Sequence, residues 1–133
     1  MYTLTPEGKE IIAGVVIQRD GKYLLVQEKQ PKAYKLWNFP AGHVEDDMTI
    51  EETAVMEAKE ETGYDVKLIE KVQEWDRRVM QHLFSAEITG GELKIPEHEI
   101  MDAKWFTLEE LKGMKEQLRG NWILEGIEKV EKG

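Results

Sequence analysis

The chain has 133 residues, 41% of them hydrophobic, and a formal net charge of −9, so it is long enough to form one domain over residues 1–133 with its own core. It contains no cysteine, which excludes disulfides and thiolate metal sites and is typical of a cytoplasmic protein. At a pI of about 4.9, we expect no general binding to nucleic acids or to anionic membranes. The sequence also shows no signal-peptide pattern and no apolar run long enough to cross a membrane.

A strand pair is predicted near the start of the chain. Glu10 to Gln18 is mostly apolar, as in a strand that is buried on both faces. Asp20-Gly21 is a hairpin signal, and Lys22 to Glu28 forms the returning strand. The loop that follows either attracts the negative charge of a polyphosphate or is an ordinary solvated loop; its three lysines are Lys29, Lys32 and Lys35.

The second half of the chain predicts three more strands and two helices. The strands are Tyr64 to Trp75, Val79 to Ile88 and Ala103 to Phe106, with an irregular loop over residues 91–101. A capping box of Thr107 and Glu110 opens a helix to about Leu118. A last amphipathic helix, Trp122 to Lys132, turns Trp122, Ile123, Ile127 and Val130 towards the core. Strands around one central helix, with further helices at the end, indicate an α/β protein, a mixed α/β/α sandwich.

Most of the negative charge is concentrated between Gly42 and Tyr64, where eight acidic residues stand against one lysine. Thr49 and Glu52 predict a capping box, and Gly63 predicts the end of the helix that it opens. In that helix Ala54, Val55 and Ala58 form an apolar stripe, with three carboxylates at its edge: Glu57, Glu60 and Glu61.

Two interpretations of this acidic helix are open. Like charges at i and i+4 cost a helix about 0.2–0.5 kcal/mol per pair, so a helix that needs only solubility gains nothing from them. Three carboxylates beside a buried face suit a hard divalent cation, which prefers oxygen ligands on a rigid support. The alternative is an acidic helix face that is simply solvated.

The segment LWNFPAGHVE precedes this loop and helix, and the whole stretch over residues 42–64 resembles the Nudix box of the Nudix hydrolases. The matching positions, in register and without a gap, are Gly42, Glu57, Ala58, Glu60, Glu61, Gly63 and Tyr64. The resemblance implies a Nudix-type α/β/α sandwich with a mixed sheet and hydrolysis of a pyrophosphate linkage. It also implies a Mg²⁺ cofactor, with Mn²⁺ as an alternative, and leaves a homodimer open.

The sequence departs from the family pattern at two positions. The first Glu of the box is replaced by Met48 and the Arg by Met56. In the family these two residues are expected to interact and to orient the first Glu of the helix. Since both are replaced, no unpaired charge remains, and a pair of flexible thioethers can fill the same space. We therefore expect a modified but intact metal site.

The resemblance implies roles for particular residues. Glu57, Glu60 and Glu61 are expected as metal ligands and catalytic groups, with the Gly42 carbonyl as a further ligand. Members of the family often take the general base from a later loop, and Glu97 and Glu99 are the candidates here, with Glu99 preferred for its spacing to Trp105. Each acid is otherwise an ordinary exposed residue.

Further candidates could contact the substrate. Trp37 and Phe39 could stack on a ring, His43 adjoins Gly42, Lys35 lies in the basic loop, and Arg77 could clamp a phosphate. For each, the alternative is structural: core packing for the aromatic residues, a satisfied or exposed histidine, a solvated loop, and a plain turn.

The local string from Trp37 to Glu45 is similar to the branch of the family that carries WN-x-PAGH-x-E. That branch is associated with nucleoside di- and triphosphates and with a pyrimidine pyrophosphate of thiamine synthesis. Two alternatives to a hydrolase remain: a degenerate Nudix domain that binds a nucleotide as a sensor, suggested by Met48 and Met56, and an acidic interaction domain without chemistry.

Overall fold

The protein contains a seven-stranded mixed sheet with helices on both faces, and the computed structural model describes residues 1–133. The strands are β1 (Ile11–Arg19), β2 (Lys22–Glu28), β3 (Trp37–Asn38), β4 (Ala41–His43), β5 (Tyr64–Asp76), β6 (Met80–Gly91) and β7 (Ile100–Phe106). The helices are α1 (Ile50–Thr62), α2 (Leu108–Lys112) and α3 (Trp122–Lys132). This architecture confirms the predicted α/β class with a mixed sheet.

Strand β1 is the centre of the sheet. One of its edges pairs with β6 in parallel, from Ile11 opposite Met80 to Ile17 opposite Ala86. Its other edge pairs antiparallel with β4 and, at the hairpin, with β2. The hairpin turn has positive φ at Asp20 (53°) and Gly21 (76°), which is the geometry that a two-residue turn between twisted strands needs. Strand β5 pairs with β6, and both β3 and β7 pair with β2.

Two apolar clusters lie on the two faces of the sheet. The cluster under α1 includes alternate β1 residues Ala13, Val15 and Ile17, with Ala54 and Ala58 of the helix. The cluster on the opposite face includes residues of β1, β2 and β3 and the buried face of α3: Val16, Tyr23, Leu25, Trp37, Ile123 and Ile127. Because β1 contributes to both clusters, its sequence is nearly continuously apolar, as predicted.

Several predicted boundaries differ from the structure. Strand β6 continues to Gly91 instead of ending at Ile88, because residues up to Gly91 still pair with β5. Strand β7 begins at Ile100 rather than Ala103, because Ile100 and Asp102 already pair with the end of β2. The predicted loop over residues 91–101 is shortened accordingly. Helix α2 ends at Lys112 instead of continuing to Leu118, and the chain then forms a separate 3₁₀ turn over Lys115–Gln117.

None of the helices is long and apolar enough to span a lipid bilayer.

Candidate functional site

Both ends of helix α1, which carries the acidic residues, are fixed by capping interactions. The Thr49 hydroxyl accepts a hydrogen bond from the Glu52 amide at 3.0 Å, and the Glu52 carboxylate accepts one from the Thr49 amide at 2.9 Å. The predicted capping box is therefore confirmed. At the other end Gly63 has a φ of 83°, and its amide donates to the Lys59 carbonyl, which is the predicted left-handed end of the helix.

The buried face of α1 differs from the predicted apolar stripe. Ala54 and Ala58 are buried as expected, but Val55 is 37% exposed. The buried positions next to the alanines are polar: Thr53, Thr62 and Glu61. The carboxylate of Glu61 therefore lies inside the protein, where a charge is costly.

Glu57 is placed against the backbone of β4. Gly42 pairs with Ala13 of β1, and a Cβ added at Gly42 would be 2.3 Å from the Glu57 Cδ and 2.4 Å and 2.7 Å from its two carboxylate oxygens. These distances are shorter than any normal contact, so only glycine allows the carboxylate to lie there. The close approach of a glycine backbone and an acid is what the expected metal site requires at these two positions.

Glu57 and Glu61 form a coupled carboxyl pair. The interaction between the two carboxyl groups raises the pKa of Glu61 and lowers that of Glu57, so the two side chains compete for one proton. The pKa of Glu57 is raised to about 7: burial is the largest cause, the hydrogen bond with Glu61 opposes the shift, and the charges of Glu60, Glu99 and Glu45 add to it. Burial also raises the pKa of Glu61 well above its ordinary value, as do the hydrogen bond and the charge of Glu57. The amide of Ala41, 3.4 Å from Glu61 Oε1, gives only partial compensation.

No basic side chain neutralises this pair: neither Glu57 nor Glu61 forms an ion pair with a lysine, an arginine or a histidine. Glu60 is exposed on the adjoining face of the helix. Nowhere in the chain do three or more Asp, Glu, His or Cys side chains converge in the geometry of a metal site. The two inner carboxylates thus leave a buried excess of negative charge that a bound cation would relieve.

Of the two predicted candidates for a general base, Glu99 is the one electrostatically linked to the helix, because its charge raises the pKa of Glu57. Its backbone is held beside β2, where the Lys29 amide donates to the Glu99 carbonyl at 3.2 Å. An open cavity of about 510 Å³ also adjoins Glu60 and is lined by Lys59, Gly63, Gly91, Glu92 and Lys94. The role of Glu99 stays a prediction.

The two aromatic candidates lie in the core. Trp37 and Phe39 are only 5% and 3% exposed, and both belong to the cluster on the face of the sheet opposite α1. The Trp37 ring packs edge-on against Phe106 with 5.0 Å between the ring centroids. We therefore assign both residues to the core and leave them out of the substrate site.

The remaining predicted contacts are engaged elsewhere. His43 stacks on Tyr2 at 4.2 Å between ring centroids, and its Nε2 is 2.8 Å from Glu10 Oε1. Arg77 lies over the Trp122 ring at 5.1 Å and pairs with Glu125 at 3.7 Å, so it contacts α3. Lys35 is exposed in the loop before β3, with its amine 5.6 Å from the Tyr34 ring centroid. The structure does not bring these three side chains together with the α1 carboxylates.

Two residues near the carboxyl pair were missed in the sequence. Glu28, the last residue of β2, raises the pKa of Glu61 through its charge, and its own pKa is raised by burial. Arg119 faces it, with the Nε atom 3.5 Å from Glu28 Oε2. An acid directly after the apolar run YLLVQ was the only available signal for Glu28, and Arg119 had none because its approach depends on the tertiary fold.

An acidic helix held against a glycine-containing strand on a mixed sheet is the arrangement expected of a Nudix domain, and comparisons with known proteins agree. The family model described as "NUDIX domain" matches residues 8–125. A NUDIX hydrolase structure from Nitrosomonas europaea superposes with a TM-score of 0.83 at 26% identity, covering 94% of this chain and 90% of that one.

Two relatives found by sequence have names that state an enzymatic activity. An 8-oxo-dGDP phosphatase NUDT18 of Danio rerio is 35% identical over 72% of this chain and 31% of its own length. An ADP-ribose pyrophosphatase of Methanocaldococcus jannaschii is 35% identical over 72% of this chain and 60% of its own length. The chain belongs to the Nudix hydrolase family. It spans between 31% and 61% of the length of the curated relatives it matches.

Proposed function

We propose that the protein hydrolyses a pyrophosphate linkage in a nucleoside di- or triphosphate, or in a related compound built on a nucleoside diphosphate, with Mg²⁺ as cofactor and Mn²⁺ as an alternative. The observation that carries the proposal is the buried Glu57–Glu61 pair set against Gly42, which has no cationic partner in the protein. Nudix hydrolases generally need a divalent metal ion, so the family and the local charge point to the same cofactor.

The residues present fit a hard divalent ion. Glu57 and Glu61 supply carboxylate oxygens, the Gly42 carbonyl and the exposed Glu60 supply further oxygens, and no softer sulfur or clustered imidazole ligand competes with them. Because the protein provides so few inner ligands, water and substrate phosphates would complete the coordination, as Mg²⁺ prefers. When bound, the ion supplies neutralisation of adjacent phosphate charges and a lower pKa for an attacking water.

The side chains of this protein then have distinct tasks. Glu57 and Glu61 hold negative charge at a fixed place, and their own protons must leave before they can act as ligands. Gly42 has no side chain to obstruct Glu57, so the carboxylate can lie against the β4 backbone. Glu99, the last residue of the loop before β7, is the candidate that accepts a proton from water. Positioning and electrostatics account for the catalysis of phosphoryl chemistry in general.

The substrate class is supported by the relatives. Their printed names include an 8-oxo-dGDP phosphatase, an ADP-ribose pyrophosphatase and an NAD-capped RNA hydrolase. All three substrates contain phosphate attached to a nucleoside, which is the common chemistry we propose for this chain. The sequence string WNFPAGH adds a similarity to the branch associated with nucleoside phosphates and a pyrimidine pyrophosphate.

The test is a product-resolved hydrolysis screen of wild type and Glu61→Gln, with Mg²⁺ and with chelator. Its substrates are nucleoside di- and triphosphates, nucleotide sugars, dinucleotides and the pyrimidine pyrophosphate. We expect cleavage that chelator abolishes and that Glu61→Gln lowers by at least about 100-fold, since it removes a charged ligand. Glu125→Gln, an acid-to-amide change in the ion pair with Arg77, is the matched control and should retain activity.

Two results would contradict the proposal. Equal activity of Glu61→Gln and wild type would show that the carboxyl pair is not the catalytic site. If protein that is shown to bind Mg²⁺ binds a nucleotide but hydrolyses none of the substrates, the result would favour the alternative of a nucleotide sensor without turnover, which Met48 and Met56 suggest. Met56 lies within α1 and Met48 just before it, and both are half-buried.

A further inference from the structure

Glu28 is a half-buried acid that the proposed reaction does not use. It ends β2, its side chain is 18% exposed, and its Oε2 atom is buried without a hydrogen-bond partner. Its Oε1 atom accepts a hydrogen bond from the Gln30 amide at 3.1 Å. A carboxylate in this position is costly unless a cation compensates it, and Arg119 is the only cation that pairs with it, at 3.5 Å.

Arg119 is fixed at its backbone, and its terminal amino groups have no partner within the protein. Its amide donates to the Trp37 carbonyl at 2.8 Å, and the preceding residue, Leu118, is buried and forms a bridge with Trp37. The side chain is 33% exposed, and no hydrogen bond within the protein involves either terminal amino group. With Nε turned to Glu28, the two remaining nitrogens form a fork that can donate to two acceptor atoms at once.

Arg119 and Glu28 are linked to the α1 carboxylates through β3 and through the charge of Glu28. Trp37 and Asn38 form β3, which leads within three residues to Ala41, whose amide contacts Glu61 at 3.4 Å. The charge of Glu28 also reaches Glu61. Two lysines on the neighbouring segments have partners of their own: Lys29 donates to the Glu97 carbonyl, and Lys59 pairs with Asp65 at 3.2 Å. A polyanionic substrate entering so acidic a site needs a cation, and Arg119 has donors to spare.

We propose that Arg119 binds the substrate through a pair of acceptor atoms and that Glu28 is the positioning residue that orients the guanidinium. The acceptors are either two oxygens of one phosphate or a carbonyl oxygen and ring nitrogen of the organic part, since both present adjacent acceptors to the fork. This inference rests on the proposed function for the nature of the ligand. It adds a specificity-determining contact outside residues 42–64.

The experiment measures ligand affinity by calorimetry in Ca²⁺, which replaces Mg²⁺ to slow turnover, and steady-state kinetics in Mg²⁺. The ligands are inorganic tripolyphosphate and a panel of nucleoside diphosphates that differ in the base. The variants are Arg119→Gln, Arg119→Lys, Glu28→Gln and the double variant Glu28→Gln/Arg119→Gln. Arg19→Gln is the matched control, because that exposed guanidinium lies over the Trp105 ring at 4.6 Å, at the hairpin end of β1.

We expect Arg119→Gln to weaken nucleotide binding by about 10- to 100-fold, the usual range for a lost charge-assisted bidentate contact. Arg119→Lys should recover only part of the loss, since it restores the charge without the fork. Glu28→Gln should weaken binding less and should have no further effect in the Arg119→Gln background, because it acts through Arg119. Arg19→Gln should bind within twofold of wild type.

The ligand panel distinguishes the two sources of acceptors. A loss that extends equally to tripolyphosphate assigns Arg119 to a phosphate, and a loss confined to some bases assigns it to the organic part. Undiminished binding by folded Arg119→Gln, or additive effects of the two single variants, would overturn the inference while leaving the hydrolase intact. Arg119-dependent binding with no turnover in Mg²⁺ would instead overturn the proposed hydrolysis and leave the contact standing.

Discussion

The close contact between Gly42 and Glu57 provides the sharpest test of the site. In Gly42→Ala the new methyl carbon would be 2.3 Å from the Glu57 Cδ, with both oxygens closer than 2.8 Å. A normal carbon contact is about 3.5–4.0 Å, so the carboxylate must retreat by roughly 1 Å. The backbone itself accepts alanine, because Gly42 is not among the glycines with positive φ. The group that must move is the end of a flexible side chain, so the effect on stability should be below about 1 kcal/mol.

The effect on catalysis should be much larger. A misplacement of about 1 Å at a catalytic constellation can cost on the order of 100-fold in rate, and we expect kcat/KM to fall by about that factor. Steady-state hydrolysis in saturating Mg²⁺ and thermal unfolding of the same samples provide the two measurements. Gly113→Ala is the control, because its Cβ would lie 3.5 Å from the Glu110 carbonyl oxygen in ordinary helical backbone.

A double variant checks the proposed cause. If Gly42→Ala acts by displacing the Glu57 carboxylate, then Gly42→Ala/Glu57→Ala should be no less active than Glu57→Ala alone, since the displaced group is already absent. Full activity of Gly42→Ala would refute the reasoning, because the acid would then not need its observed position. Additive losses would refute it as well, by showing that Gly42 acts independently of Glu57.

Three further predictions concern stability. Because the pKa of Glu57 is raised from 4.5 to about 7, the folded metal-free protein holds a proton more tightly than the unfolded chain, and this stabilisation is lost as pH rises from about 4.5 through 7. After allowance for solvent screening it should amount to about 1–2 kcal/mol. Urea unfolding across this range measures it, and excess Mg²⁺ should offset the loss; stability that rises steadily with pH in chelator would contradict this sign. Ile127→Ala, at a fully buried position on α3, should cost about 2–5 kcal/mol, whereas Ile69→Ala, at a 62% exposed position, should stay within about 0.5 kcal/mol. Thr49→Ala should cost about 0.5–2 kcal/mol because it removes the α1 cap, and Thr49→Ser should restore most of that stability; equal unfolding midpoints for both variants would show that the hydroxyl does not stabilise the helix.

Local signals predicted the parts of the fold that depend on neighbouring residues. The Asp20-Gly21 turn, both capping boxes and the end of α1 at Gly63 agree with the structure. Each of these depends on a side chain or a φ angle within a few residues, so the sequence contains all the necessary information. The spacing within residues 42–64 likewise led to the acids of α1, and the structure places Glu57 against Gly42.

Features that depend on distant pairing were decided by the tertiary structure. Strand β7 extends to Ile100 only because β2 offers it hydrogen-bond partners. Trp37 and Phe39, indistinguishable in sequence from stacking residues, belong to the core cluster on the face of the sheet that α3 packs on. Glu28 and Arg119 meet only when the segment after α2 docks on β3. Residues 42–64 thus determined the family and its acidic centre, because those contacts are local or set by helical spacing, whereas the surroundings of that centre depend on which distant segments the sheet brings together.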